Sequence, residues 1–277
     1  MTARTTGFVL GGGGVLGAAE VGMLRALLER GIVPDLLVGT SVGALNAALV
    51  AATPLDEVVA RLTELWRTAA AGGQVYGEGA ARQLSRAMRT GTHLYSSEPL
   101  RDALERQLGD RTFAELNIRF QCCAASIERA SEHWFSTGRV VDAVVASAAV
   151  PGLLSPARVG DEHFLDGGIV NSIPVGRAVE LGAQRIFVLQ VGRIDRPLKP
   201  PRRPWEVARV SFEIARRHRF SREMAALPEG VEAHVLPTGG GSVRDDSLLA
   251  HRNFSIVQDR VTRAYEASRD YLVERVP

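Results

Sequence analysis

The chain has 277 residues, of which 45% are hydrophobic and 23% are charged, the composition of an ordinary globular protein. A net charge of +2 gives no indication of nucleic-acid binding, and no apolar run reaches the roughly 20 residues that would span a bilayer. The N-terminal apolar run is also too short for a signal peptide. We therefore expect a cytoplasmic protein, and contact with a membrane surface stays open.

The first quarter of the chain alternates short apolar runs with segments of helical periodicity. The pattern predicts strands over 8–10 and 36–38 and helices over 17–30, 41–52 and 55–69. Strands that alternate with helices in this way are typical of a parallel sheet covered by helices.

The middle of the chain departs from this alternation. Residues 71–96 are rich in Gly, Arg and Ser, and we expect an insertion that is either a lid or a plain surface connection. Ser97 caps a further helix that carries a proline near its first turn. Strands over 118–125 and 133–135 are predicted to form a hairpin around 128–130.

The rest of the chain continues with mixed elements. The predicted segments are helices over 140–150, 205–226 and 253–275 and strands over 164–165, 185–191 and 231–237. The two cysteines, Cys122 and Cys123, are adjacent in an apolar run, so we expect them to be buried, and their spacing indicates no metal site.

One serine stands where the second predicted strand passes into a helix, in Gly39-Thr40-Ser41-Val42-Gly43. A turn of this kind is tight, its neighbours must be small, and the bend pushes the hydroxyl outward. A plain helix N-cap would explain the serine, and the other interpretation is a catalytic nucleophile.

A glycine-rich loop follows the first predicted strand, where Gly12, Gly14 and Gly17 satisfy G-x-G-x-x-G. A dinucleotide site would also need an acidic residue at the end of the second strand, where this chain has Ser41, so that interpretation is disfavoured. Bare glycine amides at a helix N-terminus suit an oxyanion. Because neighbouring parallel strands end at one sheet edge, the loop and Ser41 are expected to lie together.

A serine nucleophile needs a proton acceptor. In an α/β-hydrolase, His234 or His251 could complete a triad, but neither histidine lies in a motif. Asp166 is the better candidate, because it stands at a predicted strand end before Gly167 and Gly168. An ordinary Asp-Gly turn is the structural alternative.

Three motifs occur in a fixed order: Gly12-x-Gly14-x-x-Gly17, Gly39-x-Ser41-x-Gly43 and Asp166-Gly167-Gly168. Together they are similar to the three signatures of the patatin-like phospholipase family. The block 147–175 also resembles that family in layout, and the similarity covers about residues 6–240.

The resemblance implies a three-layer α/β/α fold with a central, mostly parallel sheet, in a single hydrolase domain over 1–277. It implies a Ser41–Asp166 dyad that acts on acyl esters of lipids with neither a cofactor nor a metal. Ser41 would attack the ester carbonyl, and Asp166 would take the proton. The oxyanion would be bound by the backbone amides of Gly12, Gly13 and Gly14.

Two positions depart from the family pattern. Leu16 stands where the family often has a basic residue, and Glu20 stands where it often has histidine. Leu16 cannot neutralise a phosphate, so a neutral acyl ester becomes more plausible than a phospholipid. A non-catalytic lipid-binding or regulatory module on the same fold is the alternative function.

Residues 202–222 combine seven arginines with interleaved apolar and aromatic side chains. A basic amphipathic helix of this kind can lie on anionic lipid. The alternative is a helix that packs on the sheet with its arginines in solvent.

Overall fold

The computed structural model describes residues 4–72, 92–192, 194, 197–240 and 254–276. Within these residues one eight-stranded sheet runs in the order β5-β6-β3-β2-β1-β7-β8, with β4 also paired to β3. The strands are β1 (Thr6–Leu10), β2 (Leu36–Thr40), β3 (Arg119–Ser126), β4 (Ser131–Phe135), β5 (Ala157–Val159), β6 (Glu162–Asp166), β7 (Arg185–Leu189) and β8 (Glu232–Val235). The five from β3 to β8 along this order are parallel, while β4 and β6 run antiparallel to β3.

Helices follow most of the strands. They are α1 (Ala18–Glu29), α2 (Val42–Ala52), α3 (Val58–Gly72), α4 (Glu98–Leu108), α5 (Val140–Ser147), α6 (Gly168–Asn171), α7 (Val175–Glu180), α8 (Pro204–Ala225) and α9 (Phe254–Arg275). Short 3₁₀ helices span Gly14–Gly17 and Phe113–Glu115. Among the described residues, no helix is both long and apolar enough to cross a bilayer.

Alternate residues of the central strand β1 face two separate hydrophobic clusters. Phe8 and Leu10 belong to a large cluster with residues of α1 to α5 and α9. Val9 belongs to a second cluster on the other face, where Val175 of α7 and Phe220 of α8 also lie. The period of two that governs strands therefore places helices on both faces, and the predicted three-layer fold with a mostly parallel sheet is confirmed.

The C-terminal helix α9 packs closely against α1. A methyl group at Gly22 of α1 would lie only 2.1 Å from the carbonyl oxygen of Val261. Glycine is therefore required for this approach of two helix backbones, as it is at other close crossings. The predicted helix over 253–275 is present as α9 and covers one face of the large cluster.

Several element boundaries differ from the predictions. The second strand extends two residues further, to Thr40, and the helix predicted over 140–150 ends at Ser147. Strand β5 and helices α6 and α7 were not predicted, because segments of three to six residues carry too little periodicity to identify. The predicted hairpin is confirmed, and Ala130 in its turn has a positive φ of 48°.

Two predictions fall wholly or partly outside the described residues. The possible lid over 71–96 lies mostly there, and so does His251. The single-domain assignment over 1–277 stays a prediction. Cys122 and Cys123 are buried free thiols, as expected, and burial raises the pKa of both.

Candidate active site

Ser41 occupies a strained turn between β2 and α2. Its φ of 55° and ψ of −125° form a backbone conformation that residues with a side chain rarely adopt. The flanking glycines permit this geometry. A methyl group at Gly43 would lie 2.2 Å from the Leu10 carbonyl oxygen, and one at Gly39 would lie 2.7 Å from the Ala44 Cα. Strain of this kind persists where the surrounding structure imposes it and is concentrated at functional sites.

Asp166 lies directly beside Ser41. The Ser41 hydroxyl donates a hydrogen bond of 2.5 Å to Asp166 Oδ2, and the Gly168 amide donates one of 2.7 Å to Oδ1. Both side chains are buried, at 6% and 5% exposure. Strand register explains the meeting, because β3 pairs Cys123 with the residue before Ser41 and pairs Ala124 with Asp166.

Burial determines the protonation behaviour of Asp166. Desolvation raises the pKa of its carboxyl from 3.8 to about 6, although the hydrogen bonds from Ser41 and Gly168 lower it. A pKa just below neutral leaves the group mostly ionised at pH 7 yet basic enough to accept a proton. This is the range in which a general base is effective.

Gly167 and Gly168 are needed where they stand. A methyl group at Gly167 would lie 2.2 Å from the Cys123 carbonyl oxygen. One at Gly168 would lie 2.9 Å from Asp166 Oδ1 and 3.0 Å from the ring of Phe212. The two glycines therefore let the chain turn tightly around the carboxylate.

A second serine, not singled out from the sequence, holds the turn. The Ser41 amide donates a 2.9 Å hydrogen bond to Ser147 Oγ, and the Ser147 hydroxyl donates one of 2.5 Å to the Cys123 carbonyl. Ser147 is fully buried at the end of α5. The sequence carries no specific signal for this role, because a serine near a helix end has many possible partners.

The glycine-rich loop lies against Ser41. A methyl group at Gly12 would be 3.5 Å from Ser41 Cβ, and one at Gly17 would be 2.4 Å from Val42 Cγ2. The Gly12 amide donates to the Ser172 carbonyl at 2.8 Å, so it is already engaged. Gly13 and Gly14 are exposed, and their amides meet no acceptor in the described part of the chain.

Gly13 also has no room for a side chain. A methyl group there would lie 2.2 Å from Val191 Cγ2. Gly14 has a φ of 56° and open space around it, so it is required for its backbone conformation rather than for packing. The structure thus brings the loop, Ser41 and Asp166 together, with two of the three predicted amides free to bind.

His234 does not join this group. It lies on β8, which is two strands away from β1 and three strands away from β2, the strand that leads to Ser41. Its ring stacks on Phe187 at 5.1 Å, and its Nδ1 is 3.4 Å from the Tyr271 hydroxyl oxygen. Partial burial lowers its pKa. The structure therefore gives His234 a packing role.

The two departures from the family pattern have structural surroundings of their own. Leu16 packs against the large hydrophobic cluster. Glu20 is fully buried, accepts a 2.7 Å hydrogen bond from Asn46, and has its pKa raised well above the usual range by desolvation. Asn46 also accepts from the Trp66 indole at 3.2 Å. Glu20 therefore links α1, α2 and α3.

The arginines of 202–222 are not simply solvated. Arg216 is buried, and Arg219 forms ion pairs of 2.9 Å with both Glu132 and Glu223. Arg202, Arg203 and Arg222 are exposed, and α8 exposes apolar side chains as well, with Val207 50% and Ile214 56% exposed. Both interpretations of this segment assumed outward-facing arginines, and the structure corrects that assumption for Arg216.

Known proteins resemble this chain in sequence. A family model described as Patatin-like phospholipase matches residues 8–179. Lysophospholipase nte1 of Aspergillus terreus is 32% identical over 200 residues, covering 69% of this chain and 12% of that protein. The patatin-like phospholipase domain-containing protein ZK370.4 of Caenorhabditis elegans is 34% identical over 205 residues, covering 70% and 14%. The chain spans about an eighth of the length of these curated relatives.

A solved structure resembles the fold. VipD from Legionella pneumophila aligns with a TM-score of 0.53 and 15% identity, covering 98% of this chain and 67% of that one. The family model covers more than half of the chain, and the matched range includes the glycine loop, the serine turn and the Asp166 segment. The chain belongs to the patatin-like phospholipase family.

Proposed function

We propose that the protein is a serine acyl-ester hydrolase that uses a Ser41–Asp166 dyad. The observation that carries this proposal is the 2.5 Å hydrogen bond between the Ser41 hydroxyl and Asp166 Oδ2 at a strained turn. A nucleophile that already hydrogen-bonds its base has the arrangement that covalent catalysis requires.

In the acylation step, Ser41 Oγ forms a bond to the ester carbonyl carbon while its proton passes to Asp166 Oδ2. The carbonyl oxygen becomes an oxyanion. When the tetrahedral species collapses, the bond to the alcohol oxygen breaks, and the leaving alcohol takes the proton from Asp166. An acyl-Ser41 ester remains.

Deacylation repeats these steps with water. Asp166 accepts a proton as the water oxygen attacks the acyl carbon, and the Ser41–acyl bond then breaks. Ser41 recovers the proton from Asp166, and the carboxylic acid leaves. No cofactor or metal enters either step.

We assign the oxyanion site to the Gly13 and Gly14 amides. The sequence prediction also included Gly12, but its amide already donates to Ser172, so Gly12 would support the loop instead. Loss of a single oxyanion donor typically costs about 3 kcal/mol of transition-state stabilisation. We therefore expect backbone amides of a loop without functional side chains to supply a large part of the rate enhancement.

Lipid acyl esters are the substrate class that membership of the family favours, and two relatives are named as a lysophospholipase and a phospholipase-domain protein. Leu16 adds no positive charge for a phosphate, so neutral esters should be cleaved at least as well. A panel of p-nitrophenyl esters, monoacylglycerol, lysophospholipid and diacyl phospholipid would rank them.

The test of the dyad compares wild type with Ser41→Ala and Asp166→Asn on a chromogenic short-chain ester. Both variants should lose activity while retaining the fold by circular dichroism. His234→Gln is the matched control and should retain full activity, since His234 packs away from Ser41. Full activity in Ser41→Ala would refute the proposal. A folded wild type that cleaves no ester would favour the non-catalytic lipid-binding module.

We also propose that segment 202–222 contacts lipid surfaces peripherally. The exposed Val207 and Ile214 side chains support this idea, because the same segment exposes Arg202, Arg203 and Arg222, and exposed apolar and basic residues together suit an anionic interface. Val207→Asp with Ile214→Asp should reduce sedimentation with phosphatidylglycerol vesicles and leave hydrolysis of a water-soluble ester unchanged. Equal sedimentation of the double variant and wild type would remove the proposal.

A further inference from the structure

A buried arginine lies behind the glycine-rich loop. Arg216 extends from α8, and only 2% of its side chain is exposed. Its Nε donates a 3.0 Å hydrogen bond to Ser172 Oγ, and its Nη2 lies 3.5 Å from the Gly12 carbonyl oxygen. The glycine at 192 makes room for it, because a methyl group there would be 2.2 Å from Arg216 Nη1.

The two sides of Gly12 are therefore both held. Its amide donates to the Ser172 carbonyl at 2.8 Å, and its own carbonyl faces Arg216. Arg216 also donates to the Ser172 hydroxyl, so one guanidinium contacts Gly12 and Ser172, the two residues that this backbone hydrogen bond joins. The Gly12 carbonyl therefore faces a side chain from a helix residue 204 positions away in sequence.

The peptide that joins Gly12 to Gly13 transmits this constraint. A trans peptide points its C=O and N–H in opposite directions, and the described residues contain no cis peptide. Because the Gly12 carbonyl faces Arg216, the Gly13 N–H points away from Arg216, and Gly13 is exposed. The contact between Arg216 and the Gly12 carbonyl thus orients the Gly13 N–H, a proposed oxyanion donor.

Charge adds to the orientation. A guanidinium stays protonated throughout the working pH range, and the carboxylate of Glu213 lies 3.4 Å from Nη1 and is itself 27% exposed. A positive charge at the carbonyl end polarises the peptide and strengthens the N–H as a donor. This effect grows as negative charge develops on the substrate oxygen, so it favours the transition state over bound substrate.

We propose that Arg216 is a positioning residue that orients and polarises the Gly12–Gly13 peptide so that the Gly13 amide stabilises the oxyanion. The inference rests on the proposed hydrolase function and adds a residue outside its three motifs. Arg216 does not touch the substrate, so its removal should lower kcat and leave KM nearly unchanged.

The experiment compares Arg216→Gln, Arg216→Lys and Gly192→Ala with wild type on a chromogenic ester. Removal of one donor outright lowers kcat by about 100-fold to 1,000-fold, and a misdirected donor should lower it by roughly 10-fold to 100-fold. Gly192→Ala displaces the guanidinium by a separate route. Arg216→Lys keeps the charge without the fork and should fall between wild type and Arg216→Gln. Arg217→Gln, on the same helix, is the matched control.

A second readout separates positioning from general loss of structure. A trifluoromethyl ketone adds to the Ser41 oxygen and places an oxyanion in the same site, so its affinity should fall in parallel with kcat. Unchanged kcat in both Arg216→Gln and Gly192→Ala, or a loss confined to KM, would overturn the proposal while the dyad stands. If Arg216→Gln fails to fold, Gly192→Ala decides. An inactive wild type would overturn the proposed function together with this inference.

Discussion

Ser41 and Asp166 are joined by a 2.5 Å hydrogen bond although 125 residues separate them in sequence. The contact depends on β3, which pairs with β2 along one part of its length and with β6 along another. Each side chain stands at the end of its strand, so neither needs a long flexible segment to reach the other. Rigid strand ends are a suitable support for the proposed dyad, because catalysis requires the reacting groups to be held in close geometry.

The protonation state of Asp166 should control the rate. Because burial raises the pKa of this carboxyl to about 6, Asp166 is mostly ionised above that pH and mostly protonated below it. We expect kcat/KM for a soluble ester to rise with pH through a midpoint near 6 and then level off. Measurement between pH 4.5 and 9 checks this. A profile that is flat from pH 5 to 8 would contradict the assigned base.

Removal of the Asp166 charge should stabilise the fold at high pH. The carboxyl pKa is raised from 3.8 to about 6 in the folded state, so the folded chain binds the proton more tightly than the unfolded chain. This contribution to stability is fully present below the unfolded pKa and is lost as pH rises through 6. At roughly 1.4 kcal/mol per pKa unit, the loss is about 3 kcal/mol.

The comparison that checks this is Asp166→Asn against wild type by urea unfolding at pH 4 and pH 8. Asparagine can still accept from the Gly168 amide, so packing is retained. The free energy of unfolding of the variant relative to wild type should increase between the two pH values. A difference that is the same at both pH values would mean that burial of Asp166 does not shift its titration.

Backbone strain at Ser41 should appear as a difference between two inactive variants. Ser41→Ala and Ser41→Gly both remove the hydroxyl, but only glycine relaxes a turn with a φ of 55°. Strained positions cost roughly 1–3 kcal/mol. Glycine relieves this strain in the folded state, but its greater conformational freedom stabilises the unfolded chain and offsets part of the gain. We expect the free energy of unfolding of Ser41→Gly to be about 1 kcal/mol higher than that of Ser41→Ala. The reverse order in thermal unfolding would argue against strain.

Ser147 should matter for both rate and stability. Ser147→Ala leaves the Ser41 amide and the Cys123 carbonyl without their buried partner, which typically costs about 1–3 kcal/mol. Because the Ser41 amide holds the proposed nucleophile in place, kcat should also fall, by roughly 10-fold if about 1.4 kcal/mol of transition-state stabilisation is lost. Urea unfolding and ester kinetics measure the two effects.

The control for Ser147 is Ser126→Ala. Ser126 is also buried on the same part of the sheet, but its hydroxyl bonds to Glu162 rather than to the serine turn. It should lose stability without losing kcat. A Ser147→Ala variant that loses stability but keeps its full kcat would reduce Ser147 to a packing residue.

The parts of the site that the sequence predicted are those with a local chemical signature. Ser41 on a glycine-flanked bend and Asp166 before two glycines could both be identified, because small neighbours and a reactive side chain are visible in a few consecutive residues. The adjacency of the glycine loop and Ser41 followed from the rule that parallel strands end at one edge, and Leu10 does pair with Gly39.

The parts that the sequence did not predict depend on distant partners. No short motif records these contacts, because each joins residues that are distant in sequence. They are the hydrogen bond from the Gly12 amide to Ser172, the hydrogen bond from the Ser41 amide to Ser147, and the contacts of Arg216. Arg216 could not be distinguished from the exposed arginines of the segment, because composition does not tell which face of a helix packs inward. Strand β5 has only three residues and no distinguishing pattern.

Covalent labelling of Ser41 tests the central claim most directly. A fluorophosphonate probe reacts with a serine oxygen that an adjacent base can deprotonate, and the modified peptide is identified by mass spectrometry. We expect an adduct on Ser41 in the folded wild type, much slower labelling in Asp166→Asn, and none after denaturation. A folded, unlabelled Ser41, or labelling at the same rate in Asp166→Asn, would contradict it.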